Sequence, residues 1–122
     1  MAEIEITADS LVVHMTGADV LWALRSQLTI PLAHVVRAEG AEEQARQWFQ
    51  GIRLGGTHIP GVISAGTFYR HGEWLFWDVH HAENAIAIYL KDERYAALIV
   101  EVADSAATLA AINGAVRATP DA

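Results

Sequence analysis

Asp78 and His80 stand two residues apart in Trp77-Asp78-Val79-His80-His81, and on a β-strand that spacing puts both side chains on one face. With a hydroxyl from Ser64 or Thr67 they would supply the nucleophile, base and orienting carboxylate of a hydrolase. Two observations weigh against this. Six histidines in 122 residues make such triples common by chance, and Ser64 lies in Val62-Ile63-Ser64-Ala65-Gly66, without the glycine that begins a nucleophile elbow. The neighbouring pair His80-His81 invites a metal reading. Adjacent strand residues point to opposite faces, so the pair could chelate one ion only if the strand has ended, as Ala82-Glu83-Asn84 would allow. A site of His80 or His81 with Glu83 or Asp78 would still need further ligands from separate elements to hold zinc. The expectation is a solvated or hydrogen-bonded histidine pair, with no metal, no cofactor and no catalytic residue: not an enzyme.

The second chemical suggestion is Gly56-Thr57-His58-Ile59-Pro60-Gly61, which has the glycine spacing of a phosphate-binding loop. Val62 and Ile63 follow, where that loop requires a lysine for the phosphates and a hydroxyl for the metal. Pro60-Gly61 before an apolar run reads instead as a tight turn leading into a strand.

Charge narrows the partners further. The net charge is −7, and Lys91 is the only lysine among eight basic residues, which are scattered rather than clustered. Such a surface is unsuited to polyphosphate backbones and anionic headgroups, so neither nucleic acid nor stable membrane or phosphoinositide binding is expected. There is no cysteine, which excludes disulfides, thiolate metal sites and thiol catalysis and is compatible with a reducing compartment. Residues 1–10 carry Glu3, Glu5 and Asp9 rather than a basic leader, and no apolar run reaches the ~18 residues of a membrane span. The expectation is a cytoplasmic chain, a single domain over 1–122.

The elements that would position these residues follow from periodicity. Ile4 and Ile6, then Leu11, Val13 and Met15, give two alternating runs about an Ala8-Asp9-Ser10 turn, an opening hairpin. Val20, Leu21, Trp22 and Leu24 predict a short helix over 17–25, capped by Thr16 or Asp19. Leu28-Thr29-Ile30-Pro31 and His34 to Ala38 read as one kinked strand. Ala41, Ala45, Trp48 and Phe49 share one face of a helix over 41–50. Residues 62–69, 74–79, 85–90 and 95–102 then follow as four strands, read as a meander. Last comes an Ala-rich helix capped by Asp104 or Ser105, with Leu109, Ile112 and Val116 as its apolar stripe. Ile4, Ile6, Leu11, Val13, Ile86, Ile88, Leu98, Val100, Leu109 and Ile112 are the predicted core.

Leu28-Thr29-Ile30-Pro31-Leu32 with Val35, Gly56-Thr57-x-Ile59-Pro60-Gly61, Gly66-Thr67-Phe68, Phe76-x-x-Val79 and Ala103-Asp104 together resemble uncharacterised bacterial proteins of pleckstrin-homology-like (PH-like) type. The resemblance covers most of residues 28–118. It implies a mainly β fold: a half-open, seven-stranded antiparallel barrel or sandwich capped by a C-terminal α-helix, with one or two extra short helices. No activity comes with it. Eukaryotic relatives of that fold often hold phosphoinositides through a basic first hairpin loop, whereas Ala8-Asp9-Ser10 here has no basic residue.

Aromatic residues are the remaining signal. Trp74 and Trp77, three apart, face opposite sides of a regular strand, so one of them lies on the outer face. With Phe68 and Tyr69 they form the candidate interaction surface. The leading expectation is a non-catalytic module acting through protein contact, as a homodimer or other oligomer or with a different protein; the alternative is a carrier that holds a small apolar molecule between the barrel sheet and the helix at 41–50. The charge analysis gives one outcome directly: in co-sedimentation with anionic vesicles at physiological salt the protein stays in the supernatant, and salt-sensitive pelleting would contradict it.

Overall fold

The structure, a computed structural model, describes residues 2–15, 27–46, 64–70, 72–79 and 81–118, with the backbone alone for Met15 and for 64–70. The predicted helix over 17–25, the glycine-rich turn at 55–61, the second half of the helix over 41–50 with Trp48 and Phe49, and His80 lie outside the described residues.

The chain is mainly β. Strands β1 (Ala2–Ile6), β2 (Ser10–Met15) and β3 (Gln27–Pro31) form an antiparallel sheet in that order. Strands β4 (Val35–Gly40), β5 (Ser64–Arg70), β6 (Glu73–Val79), β7 (Ala85–Leu90) and β8 (Ala97–Glu101) form a second sheet ordered β4-β7-β8-β6-β5. A C-terminal helix, Ser105–Ala118, completes the described elements. The strands among the described residues do not form a closed barrel.

The opening hairpin is held at its turn by Thr7, which exchanges backbone and side-chain bonds with Ser10: the Thr7 N–H donates to the Ser10 carbonyl at 2.9 Å, and Thr7 Oγ1 accepts the Ser10 N–H at 3.1 Å. Pairing Ile4 with Val13 and Ile6 with Leu11 puts these side chains on the inner side. Four predicted features differ in the structure. The kinked third strand is two strands in different sheets, because Leu32–His34 forms a single 3-10 turn between β3 and β4. The described residues therefore contain eight strands rather than seven. The four later strands are not a meander: β8 lies between β6 and β7, antiparallel to β7 and parallel to β6. Consequently the strands are not all antiparallel. The cause is the connection after β6. It passes through the 3-10 turn Ala82–Asn84 and spans two inter-strand spacings, roughly 10 Å, which leaves a slot that β8 fills.

The slot is stitched from both ends. The Ala96 N–H donates to the Trp74 carbonyl at 2.8 Å where β8 begins, and the Val102 N–H donates to the Asn84 carbonyl at 3.1 Å where it ends. At the β7–β8 turn, Asp92 takes φ 55°, a left-handed conformation that aspartate tolerates better than most residues.

Strands β7 and β8 have no polar face. The inner side of the large sheet carries Phe76, Ile86, Ile88, Leu98 and Val100, which pack with Leu11, Val13, Leu28 and Ile30 of the small sheet and with Ile112 of the helix. Seven of the ten predicted core residues are buried, and Ile4, Ile6 and Leu109 are half-buried against the same cluster. The outer side carries a second cluster of Trp77, Val79, Ala85, Ala87, Ala97 and Ile99, packed with Ala45 of a helical segment at 42–46 and with Ala41 just before it. Buried on both faces, these strands read as continuous apolar runs.

Asp104 caps the C-terminal helix, accepting the Ala107 N–H through Oδ1 at 3.0 Å. Asn113 then fixes the helix to the edge of the large sheet: its Nδ2 donates to the Ala38 carbonyl at 2.8 Å and its Oδ1 accepts the Ala38 N–H at 2.9 Å. The amide bonds to β4 as a neighbouring strand would. Replacing Asn113 with leucine removes both partners of a half-buried peptide group, so a loss of ~1–3 kcal/mol in urea unfolding is expected. A change below about 0.5 kcal/mol would show that this clasp is dispensable.

Candidate functional site

Cross-strand register lays out the outer face of the large sheet as a grid. One row runs Leu75, Ala97, Tyr89, Arg37 across β6, β8, β7 and β4. The next runs Trp77, Ile99, Ala87, Glu39. The two alanines sit diagonally in the middle of this pattern, flanked by larger side chains. With only a methyl group at each, the floor drops beneath its neighbours, and a cavity of about 300 Å³ opens there, lined by Leu75, Trp77, Ala87, Tyr89, Ala97 and Ile99, with Gln44 of the helical segment above.

Polar groups at this cavity are few and neutral. Gln44 Nε2 donates to the Tyr89 hydroxyl at 3.3 Å. Arg37 lies over the Tyr89 ring, its guanidinium carbon 4.5 Å from the centroid, and Arg37 Nε meets Glu39 Oε1 at 3.0 Å. The stacked cation fixes the Tyr89 ring while its charge is compensated by the adjacent carboxylate.

One row beyond the cavity on the same outer face, Glu101 is 4% exposed and pairs in register with Ala85. Its Oε1 accepts the His81 backbone N–H at 2.7 Å, and its Oε2 lies 3.5 Å from His81 Nδ1. A carboxylate in this position fastens the turn after β6 to the end of β8. Sequence reasoning did not single out Glu101; the signal was a lone acid closing the apolar run Ala97-Leu98-Ile99-Val100.

The residues singled out from sequence fall in different places. Asp78 is 0% exposed and shares with Phe76 the phase of β6 opposite to Trp77. His81 is exposed beyond its bond to Glu101, on the other side of the strand phase. Among the described residues no three His, Asp or Glu side chains converge as a metal site requires. A groove of about 490 Å³ between the start of the helical segment and the Ala82–Asn84 turn carries Glu42, Glu43, Glu83 and Arg46, of which Arg46 is paired with Glu42 at 2.6 Å. Trp74 and Trp77 do face opposite sides, and Trp77 is the outer one, yet it is 4% exposed and forms a cavity wall. Trp74 is 41% exposed, with Arg94 lying 5.7 Å from its ring centroid. Phe68 and Tyr69 are placed by backbone only, paired in register with Leu75 and Trp74. No helix among the described residues is long and apolar enough to cross a membrane.

Comparison of the chain with protein-family models, with curated proteins and with solved structures gave no match.

The cavity makes a stability prediction. Adding methylenes to a packed core costs ~1–3 kcal/mol, whereas the side chain of Ala97→Leu can enter the cavity. Its unfolding free energy is expected to stay within about 1 kcal/mol of that of the parent. A larger loss would show that the space is not there.

Proposed function

We propose that this chain is a non-catalytic binding domain that takes a small apolar ligand between the outer face of the large sheet and the helical segment at 42–46. The cavity over Ala87 and Ala97 carries this reading. Its volume is at the small end of the range for ligand pockets, and most of its lining side chains are aromatic or aliphatic, with Gln44 and the Tyr89 hydroxyl as polar groups, which is the pattern by which proteins hold small molecules. The non-catalytic part is supported by the complete burial of Asp78, on the same phase of β6 as Phe76. The sheet order, with its parallel β6–β8 pair, departs from the all-antiparallel barrel of the PH-like likeness, so the functional reading rests on the cavity and not on that family.

A second reading, protein contact including a two-fold homodimer, is favoured by Trp74. It is a large aromatic side chain exposed on the strand next to β5, which ends the sheet. Two measurements separate the readings. Toluene followed by ligand-observed NMR is expected to bind the parent protein and to be lost in Ala97→Leu, while light scattering returns the 13.3 kDa monomer mass. Absence of toluene binding together with a mass that doubles with concentration, and reverts in Trp74→Ser, would replace the ligand reading with the dimer.

A further inference from the structure

The lining chemistry goes beyond the presence of a cavity, and we infer that its ligand is a flat, uncharged ring compound bearing a hydrogen-bond acceptor, such as an aryl carbonyl, directed at the Tyr89 hydroxyl. This rests on the ligand reading above.

Shape comes from the register. Ala97 of β8 lies between Leu75 of β6 and Tyr89 of β7. The flanking strands are two spacings apart, roughly 10 Å. Subtracting the half-widths of the two bordering side chains leaves a slot about the thickness of one ring or one hydrocarbon chain. Ala87 continues the slot beside Tyr89 along β7, while Trp77 and Ile99 border its other end. An aromatic wall at each end favours a ring over a flexible chain, since ring contacts add to the area buried and a rigid ligand has less freedom to lose.

Charge comes from what lines the slot and what does not. The seven lining residues include no Asp, Glu, His, Lys or Arg. Arg37, the cation nearest the Tyr89 ring, already bonds to Glu39. An ionised ligand would therefore be taken out of water without a partner, at a cost far larger than the contacts could offset.

The acceptor requirement comes from the Tyr89–Gln44 bond. In that bond the phenol oxygen accepts from Gln44 Nε2. A tyrosine hydroxyl is also a donor, and among the described residues no acceptor takes its proton. That proton lies at the cavity edge, where a carbonyl or ring heteroatom of the ligand would complete it.

Three probes of nearly equal size test this: acetophenone, ethylbenzene and benzoate. Titrations followed by ligand-observed NMR are expected to rank acetophenone about threefold to tenfold tighter than ethylbenzene, the range of one neutral hydrogen bond, with benzoate weakest. Tyr89→Phe keeps the ring and its stack on Arg37, so it should bring acetophenone down to the affinity of ethylbenzene and leave ethylbenzene unchanged. Equal binding of acetophenone and ethylbenzene, tighter binding of benzoate, or an unchanged preference in Tyr89→Phe overturns the ligand class while leaving the cavity reading intact. Failure of toluene and of all three probes to bind overturns both.

Discussion

A central strand that offers no polar side to water sets the terms for this fold. Every residue of β8 is buried, its neighbour β7 is nearly as enclosed, and β6 is buried from Phe76 to Val79. Such a strand needs a partner along each edge and a layer over each face. The edges are supplied by β7 and β6, which is why β8 enters the slot between them. The inner layer is the small sheet with the C-terminal helix, and Ala41 and Ala45 contribute to the outer one. The two layers differ in kind. The inner one meets bulky aliphatic side chains and closes around them, whereas the outer one meets alanines and leaves room. Cavity and core thus follow from one requirement met with different side-chain volumes on the two faces.

The helix is held by two unlike interactions. Ile112 and its half-buried neighbours give it a nonspecific apolar attachment, which alone would permit sliding along the sheet. Asn113 removes that freedom, because a side-chain amide bonded to both the N–H and the C=O of Ala38 has one compatible position. The same contact satisfies backbone groups on an outer strand that would otherwise be a template for pairing with another chain.

Local order was legible in the sequence, neighbour order was not. The opening hairpin, the strands at 74–79 and 85–90 and the Asp104-capped helix were all readable, because alternation and capping are properties of adjacent residues. The phase of Ile86 and Ile88 was readable for the same reason. The switch between sheets at Leu32–His34 is legible only as a kink, since Pro31 announces a break in a strand but not where the chain goes afterwards. The place of β8 is not legible, because a period-2 pattern states that a strand has a partner without naming it. At the candidate site, the chemistry-bearing pairs drew attention through residue type, while the cavity is made by Ala87 and Ala97, whose significance lies in what surrounds them. The opposite facing of Trp74 and Trp77 was readable from their spacing; that the outer one would be covered was not.

The 3-10 turn between β3 and β4 also divides the chain by contact range. The small sheet is made from residues 2–31, all near one another in sequence, whereas β4 joins the large sheet only by pairing with β7, about fifty positions later. Closing that longer loop is the slower event on entropic grounds. The small sheet precedes its cover during synthesis, and for that interval the apolar face of Leu11, Val13, Leu28 and Ile30 lacks the large-sheet and helix side chains it packs with in the folded structure. The interval in which this protein is most prone to self-adhesion therefore falls before the large sheet closes, on a surface that the finished structure hides.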